Sequence, residues 1–320
     1  MRFNDILGHE KELGLINNYI EGGFFSGGYV FSGPEGIGKK EIALIAAEKL
    51  NCVSDGIRPC GLCGSCIKIE KGQHPDLHFI ESGSSQIKIE DIRSLQREIN
   101  FRPYEGVVKV FIINDAHKLN PEAANSLLKV LEEPPAGSLI ILVTHKPSSI
   151  FKTVLSRCKT IRFSPLRPIL LKEVLMERYS VDGELAHFLA SYSEGRLGLA
   201  LRLKDSAAIR EKNKVLDSFI LSGKPLDRSL AALSKDGLRS FLNMAASWFR
   251  DVYILKAGAV PEESLIHLDR RDDLSGLARR FSFRQLDGII NTVSESLSYL
   301  DGNINTKLIL HNLGAQLWTV

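Results

Sequence analysis

A glycine-rich stretch near the N-terminus, GPEGIGKKE at residues 33–41, has most of the spacing of a phosphate-binding loop. Gly33, Gly38 and Lys39 satisfy the pattern G-x-x-x-x-G-K-[ST]. In such loops, backbone N–H groups and a helix N-terminus face the phosphates, and the lysine adds a positive charge. The next residue normally carries a hydroxyl that binds Mg²⁺, but here it is Lys40, which repels a cation. The sequence predicts a strand-to-helix turn with poor metal geometry, and leaves open whether it binds a nucleotide.

A second element of a nucleotide site follows the apolar run VFII, where the chain reads NDAH. A hydrolysing site of this type has an aspartate that holds the metal's water shell, followed by a glutamate that orients the attacking water. Asn114 is a weaker partner for a hydrated cation than a carboxylate, and Asp115 is one methylene shorter than glutamate. Together with Lys40, these residues predict that the chain does not hydrolyse ATP in its own site. His117 is interpreted as structural.

Four cysteines lie close together in the segment NCVSDGIRPCGLCGSC: Cys52, Cys60, Cys63 and Cys66. Their spacing, C-x7-C-x2-C-x2-C, suits four thiolates around a tetrahedral Zn²⁺ ion, which leaves no open position and so predicts a structural site. Disulfides and a metal-free loop are the alternatives, and the expected cytoplasmic location disfavours disulfides. Cys158 stands apart and is interpreted as a small buried residue.

The composition is that of a globular protein with two or three domains. The chain has 320 residues, is 44% hydrophobic and 25% charged, and carries a formal net charge of +3. This charge is too small to indicate nucleic-acid binding alone. The N-terminal residues lack the apolar segment of a signal peptide, and no apolar run reaches the length of a membrane span, so a cytoplasmic location without membrane contact is expected.

The elements that must position these residues change in type along the chain. Short apolar runs predict strands at 29–33, 76–80, 109–113, 139–144 and 160–163. Between them, apolar residues at helical spacing predict a helix containing Ile89 to Ile99, and Asn120 with Pro121 predicts the start of another. This alternation predicts a mostly parallel sheet covered on both faces.

After residues 164–168 no strand is predicted, and amphipathic helices dominate. In the segment from 238 to 255, seven apolar side chains can share one helix face: Leu238, Phe241, Leu242, Ala245, Trp248, Phe249 and Val252. A small helical unit to about residue 205 and a larger one to residue 320 are expected.

The segments HPDLHFI, KVFIINDAHKLNPEAANSLLKVLEEPP and LSRC, in this order, resemble bacterial clamp-loader subunits of the AAA+ class. The resemblance extends from residue 3 to residue 313. It implies an α/β RecA-like AAA+ domain at 1–164 with a zinc module at 51–67, a helical lid at 165–205, and a helical collar that oligomerises at 206–320.

Within this family, the chain is more similar to the non-catalytic stator than to the gamma/tau motor subunit. The motor's lid carries an arginine that reaches the phosphates, and Gly198 stands at that place here. An active gamma/tau-like ATPase is the alternative function. A zinc-dependent nucleic-acid-binding module is a third reading, but it explains only the cysteine loop.

The resemblance also implies site residues and partners. Arg157, in the SRC motif, is expected to act as an arginine finger in the ATP site of a neighbouring motor subunit; an ordinary surface ion pair is the alternative. The implied partners are the gamma/tau and delta subunits, the sliding clamp and primer-template DNA. Lys88 and Arg93 are candidate DNA contacts, although a solvated helix face explains them equally well.

Overall fold

The structure is a computed structural model that describes residues 6–81, 86–206, 212–221, 234–258 and 261–301. The C-terminal segment at 303–313, which contributed to the family resemblance, lies outside these residues. The chain divides into two compact units. The first is Met1–Leu166 together with Arg196–Gly198, and the second is Arg167–Gly195 together with Leu199–Val320.

The first unit is built on a parallel sheet of five strands in the order β2-β3-β4-β1-β5. The strands are β1 (Gly27–Ser32), β2 (Leu77–Ile80), β3 (Lys109–Ile113), β4 (Ser138–Thr144) and β5 (Lys159–Arg162). The three central strands are buried along their whole length, which explains their nearly continuous apolar sequences. All five predicted strands are confirmed, with shifts of one or two residues at their ends.

Helices cover both faces of this sheet and form a separate apolar core on each. They are α1 (Glu10–Glu21), α2 (Lys39–Asn51), α3 (Gly64–Glu70), α4 (Ile89–Ile99), α5 (Pro121–Glu132) and α6 (Lys152–Leu155). One core contains α1 to α3, and the other contains α4 to α6. Alternate strand residues, such as Phe31 and Val30, point into opposite cores.

The starts of the helices follow from local chemistry. At α5, the Asn120 side chain accepts a hydrogen bond of 2.8 Å from the N–H of Ala123, and Pro121 occupies the first turn, as predicted. At α4, Ile92, Leu95 and Ile99 are buried, which confirms the predicted apolar face.

The second unit is helical: no residue after Arg162 is assigned to a strand in the part of the chain that the structure describes. Its helices are α7 (Pro168–Tyr179), α8 (Gly183–Tyr192), α9 (Leu197–Lys204), α10 (Lys212–Val215), α11 (Lys235–Ala257), α12 (Arg271–Arg280) and α13 (Phe283–Asp301). Helix α11 packs against α12 and α13, and its predicted apolar residues are all buried. The α/β class with a helical second part is therefore confirmed.

The boundary between the units lies at Leu166–Arg167, close to the predicted end of the α/β domain at 164. The division of the helical part at residue 205 stays a prediction. Among the described helices, none combines the length and the apolar character needed to cross a bilayer.

Candidate functional site

The predicted phosphate loop connects β1 to α2 and depends on its glycines. Gly33 has a φ of 152°, and a Cβ atom added there would collide with the carbonyl of Phe163. Gly38 has a φ of 95° and immediately precedes α2. Only glycine adopts such backbone conformations readily, so these residues maintain the strand-to-helix turn.

Lys39, which supplies positive charge in a phosphate loop, is turned into the protein. It is 6% exposed, and its Nζ donates hydrogen bonds to the carbonyl oxygens of Gly33 (2.7 Å) and Pro34 (2.6 Å). Burial lowers its pKa to about 8, although the charges of Glu35 and Asp115 act in the opposite direction. The lysine therefore stabilises the loop itself.

The strand ends beside the loop are linked by Glu81, a residue that the sequence analysis missed. Glu81 follows β2, and its Oε1 accepts a hydrogen bond of 2.6 Å from Nδ2 of Asn114, which follows β3. Its Oε2 lies 3.4 Å from Nζ of Lys40, which also lies 4.3 Å from the centre of the Phe79 ring. An acidic residue directly after a predicted strand was the signal that could have identified it. Lys40 and Asn114, the two residues that the sequence analysis found unsuited to a metal, thus both contact the Glu81 carboxylate.

Gly198, which the family resemblance places where the motor has its lid arginine, contacts the same loop. Its N–H donates a 2.8 Å hydrogen bond to the carbonyl of Gly36. A Cβ atom at Gly198 would lie 2.9 Å from that oxygen. A larger residue here therefore requires the loop backbone to move.

Asp115 and His117, beyond β3, meet Thr144 and His145, at the end of β4. Oδ2 of Asp115 lies 3.0 Å from Nζ of Lys118, and its Oδ1 lies 3.6 Å from Nδ1 of His145. Nδ1 of His117 is 3.3 Å from Oγ1 of Thr144. Asp115, which the sequence analysis placed where a hydrolysing site has its glutamate, is therefore held by basic neighbours.

The four cysteines of the predicted zinc module converge: one sulfur from each lies within 4.8 Å of all the others. The sulfurs of Cys52 and Cys63 are 4.0 Å apart. Four thiolates around zinc at about 2.3 Å are about 3.8 Å from one another, so this spacing suits a single tetrahedral ion. All five cysteines of the chain are free thiols in the structure.

Backbone N–H groups favour the thiolate forms of two of these cysteines. The N–H groups of Leu62 and Cys63 donate to Sγ of Cys60, at 3.4 and 3.2 Å, and lower its pKa. Burial acts to raise the pKa of Cys63, but N–H groups, including that of Cys66, prevail and lower it to about 6. Because a metal binds thiolate rather than thiol, these N–H groups fit a metal site. Burial raises the pKa of Cys66, which makes it the least acidic of the three.

The cysteine loop is attached to the sheet by a second missed group of residues. Oδ1 of Asn51 accepts hydrogen bonds from the N–H groups of Val107 (2.8 Å) and Val108 (2.9 Å). Oγ of Ser65 lies 3.1 Å from Nε2 of His74, whose Nδ1 accepts a hydrogen bond from the N–H of Asp76.

The fully buried carboxylate of Asp76 also helps to attach the cysteine loop to the sheet. It accepts hydrogen bonds from the N–H groups of Tyr104 (2.6 Å), Glu105 (2.9 Å) and Gly106 (2.8 Å). Asn51 and Asp76 together fix the segment that leads into β3.

Arg157 lies between α6 and β5, on the surface of the first unit. Its Nε donates a 2.8 Å hydrogen bond to Oε1 of Glu132, which its Nη2 also contacts, and its Nη1 donates to the carbonyl of Thr153 at 2.9 Å. The side chains of Arg157 and Glu132 are 33% and 50% exposed. In the isolated chain, Arg157 therefore makes the surface ion pair that was the alternative to the arginine finger. The neighbouring Cys158 is half-buried against the second core rather than fully buried as interpreted from the sequence, and burial raises the pKa of its thiol to about 12.

The candidate DNA residues lie on α4. Lys88 precedes the helix and Arg93 lies in its second turn, and both are exposed. Ile92 and Leu95 of the same helix are buried. This placement is compatible both with phosphate contact and with a solvated face.

The fold is thus a parallel α/β sheet with a glycine-dependent turn from strand to helix, followed by a helical part. The chain belongs to the family described as DNA polymerase III, delta subunit, whose model matches residues 8–167. A second model, DNA polymerase III, delta subunit, C terminal, matches residues 208–317. The predicted membership of the clamp-loader family is thus confirmed.

The relatives include both delta' and tau subunits, so they match both the predicted stator and the alternative motor subunit. The chain is 29% identical to DNA polymerase III subunit delta' of Bacillus subtilis over 308 residues, covering 93% of each chain. It is 36% identical to DNA polymerase III subunit tau of Escherichia coli over 212 residues, which are 64% of this chain and 33% of that one. The chain therefore spans only about a third of that tau subunit. Among solved structures, a gamma subunit-related protein from Thermotoga maritima is similar with a TM-score of 0.44, 18% identity and coverage of 95% and 98%.

Proposed function

We propose that this chain is the non-catalytic stator, delta-prime, of the bacterial DNA polymerase III clamp loader. In this role it supports ATP-driven loading of the sliding clamp onto primed DNA and does not hydrolyse ATP itself. The observation that carries the proposal is the hydrogen bonding of Lys39 to Gly33 and Pro34, which commits the loop's positive charge to the loop. The alignment with delta' over 93% of both chains supports the same assignment.

The surroundings of Lys39 also disfavour catalysis. Mg²⁺ bound to a nucleotide needs oxygen ligands at the loop and at the strand end. At those places the chain has the ammonium of Lys40 and the amide of Asn114, and both contact Glu81. Because residue 198 is a glycine, the lid also lacks the positive charge that the motor's arginine provides.

The active contribution of the chain is assigned to Arg157, acting in the ATP site of a neighbouring motor subunit. A guanidinium next to the γ-phosphate stabilises the charge that develops in the transition state, and in known NTPases this accelerates hydrolysis by about 10³–10⁵-fold. Exposed ion pairs contribute about 0–1 kcal/mol, so Arg157 can exchange Glu132 for a phosphate at little cost.

Two further parts of the chain have supporting roles in this proposal. The four cysteines hold one structural Zn²⁺ ion, to which their convergent sulfurs are suited. Lys88 and Arg93 contact DNA phosphates within the assembled loader, in which the gamma/tau and delta subunits and the clamp are the partners.

The proposal is tested by two ATPase measurements. The purified chain with Mg²⁺ and ATP is expected to show no turnover. In the reconstituted loader, Arg157→Ala is expected to reduce DNA-stimulated hydrolysis at the neighbouring site by about 10³-fold or more, whereas the exposed control Lys152→Ala retains it. Robust turnover by the chain alone would refute the non-catalytic assignment, and unchanged loader activity in Arg157→Ala would refute the finger.

An active gamma/tau-like ATPase is the second candidate, since the relatives include tau subunits at 36% identity. It predicts turnover by the chain alone that is lost in Lys39→Ala. The first of the two measurements therefore separates the candidates.

A further inference from the structure

The loops that follow β3 and β4 bring together three potential metal ligands: Asp115, His117 and His145. Because β3 and β4 are adjacent and parallel, their carboxyl ends lie at the same edge of the sheet. One ligand atom from each of the three residues lies within 4.8 Å of the other two. The proposed stator function uses none of these side chains.

Neighbouring groups hold Asp115 and His117 in place. Lys118 contacts Oδ2 of Asp115 at 3.0 Å, so that Oδ1 is the oxygen that faces Nδ1 of His145, at 3.6 Å. The hydroxyl of Thr144, which is 1% exposed, lies 3.3 Å from Nδ1 of His117 and accepts a hydrogen bond from the N–H of Lys146. Metal-binding side chains are typically oriented by such second contacts.

The two imidazole rings also approach closely. The ring centres of His117 and His145 are 4.3 Å apart, with an angle of 71° between the ring planes. The side chains of Asp115 and His145 remain 29% and 23% exposed, so an ion can reach the cluster from solvent.

We propose that Asp115, His117 and His145 form a binding site for a divalent transition-metal ion. Two imidazole nitrogens and one carboxylate oxygen favour ions such as Zn²⁺ and Ni²⁺ over Mg²⁺ and Ca²⁺, which prefer oxygen ligands. Water completes the coordination. The single negative charge of the cluster and the nearby Lys118 and Lys146 limit the affinity.

Such an ion links the loops after β3 and β4 at the edge of the sheet where a motor subunit has its catalytic glutamate. The site depends neither on the stator assignment nor on ATP. An ATPase result therefore does not decide whether it exists, and a metal-binding result does not decide the stator assignment.

The test uses the untagged full-length chain, with its cysteine site loaded with Zn²⁺ and free zinc removed by dialysis. Titration with Ni²⁺ in a calorimeter is expected to show one ion bound per chain, whereas Mg²⁺ gives no binding. His145→Gln and Asp115→Asn are each expected to weaken Ni²⁺ binding by about tenfold or more. Lys146→Gln is the matched control, because Lys146 lies in the same loop as His145 but its side chain is not a proposed metal ligand. This variant should bind Ni²⁺ at least as tightly as the wild type.

A second measurement on the wild-type chain avoids any effect of substitution on folding. In NMR spectra of the histidine side chains, paramagnetic Ni²⁺ is expected to broaden the signals of His117 and His145. The signals of His74, which precedes β2 at the opposite edge of the same sheet, should broaden less. The proposal is overturned if the wild type binds no Ni²⁺, if His145→Gln binds it with unchanged affinity, or if His74 is broadened to the same extent.

Discussion

Two loops of the first unit each contain glycine and lead into a helix, but they use their polar atoms differently. In the loop at 33–38, Lys39 is bonded to backbone carbonyls of the loop itself. In the loop at 52–66, four sulfurs converge on one another, and backbone N–H groups lower the pKa of Cys60 and Cys63. In the first loop the lysine charge is hydrogen-bonded to the loop itself, whereas the second loop gathers four sulfurs that could hold one cation.

The comparison shows that the spacing of a motif does not by itself establish binding. Both loops retain the spacing of a ligand site, and the difference appears only in what the side chains contact. It follows that changes in the cysteine loop should act through a metal, and changes at Lys39 through the loop's own hydrogen bonds.

The largest effect is expected from Cys66→Ser, which removes a buried ligand from the cysteine loop. We expect the loss of about one zinc ion per chain and a decrease of roughly 3–6 kcal/mol in the free energy of unfolding, since metal binding contributes directly to folding. Metal analysis and urea unfolding measure the two effects. Cys158→Ala, outside the cluster, should keep its zinc; if Cys66→Ser also keeps it, the two loops do not differ as described.

A smaller effect is expected where the cysteine loop is attached to the sheet. Asp76→Asn replaces a carboxylate that accepts three N–H bonds, and should lower the free energy of unfolding by about 3 kcal/mol at pH 7, as measured by urea unfolding. The exposed Asp55→Asn is the control and should change stability by less than about 0.5 kcal/mol.

Asp76 should also make the free energy of unfolding depend on pH. Burial acts to raise the pKa of Asp76, but the N–H groups of Tyr104, Glu105 and Gly106 prevail and hold it below its ordinary value. The folded chain therefore binds fewer protons than the unfolded chain in this range, and the stabilisation is present above about pH 4 and is lost as the pH falls toward the pKa of the folded state. Unfolding measured between pH 7 and pH 3 should show less acid sensitivity in Asp76→Asn, and equal sensitivity would contradict this role.

In the loop at 33–38, Lys39→Met is expected to lower the free energy of unfolding by about 1–2 kcal/mol, because two carbonyl groups lose their donor. Lys40→Met, at a more exposed lysine, should change it by less than about 0.5 kcal/mol. Thermal or urea unfolding without nucleotide measures both variants. Equal stabilities would mean that Lys39 does not support the loop.

The smallest effect is expected for Glu132→Gln, which removes the ion pair of Arg157. Because the pair is exposed, the free energy of unfolding should change by less than about 1 kcal/mol. In the reconstituted loader, the ATPase rate should be maintained, because the variant leaves the guanidinium of the proposed finger intact. A rate reduced as strongly as in Arg157→Ala would show instead that Glu132 positions the arginine.

The sequence was sufficient to predict the five strands and helices α4, α5 and α11, but not the side-chain partners. Strands buried on both faces appear as apolar runs, and α4 and α11 show apolar residues at helical spacing, so both patterns are local. Hydrogen bonds such as Asn51 to Val107 or Asp76 to Tyr104 join residues that are 56 and 28 positions apart. No local pattern encodes such pairs.

The candidate sites show the same division. The cysteine cluster was predicted because its ligands lie within 15 residues of sequence, from Cys52 to Cys66. The cluster of Asp115, His117 and His145 was missed because its last member comes from the next strand, and His117 alone gave no sign of a partner. The inward direction of Lys39 depends on a rotamer, which the motif does not specify.

The contact between Gly198 and Gly36 has a consequence for how this chain could change over evolutionary time. An arginine at position 198 would place its Cβ 2.9 Å from the oxygen of Gly36, which is a backbone atom and cannot simply rotate away. A side chain introduced at position 198 would therefore require the loop backbone to move first. For the proposed stator, this means that the order of substitutions, and not only their number, would decide whether a motor's lid arginine could be accommodated.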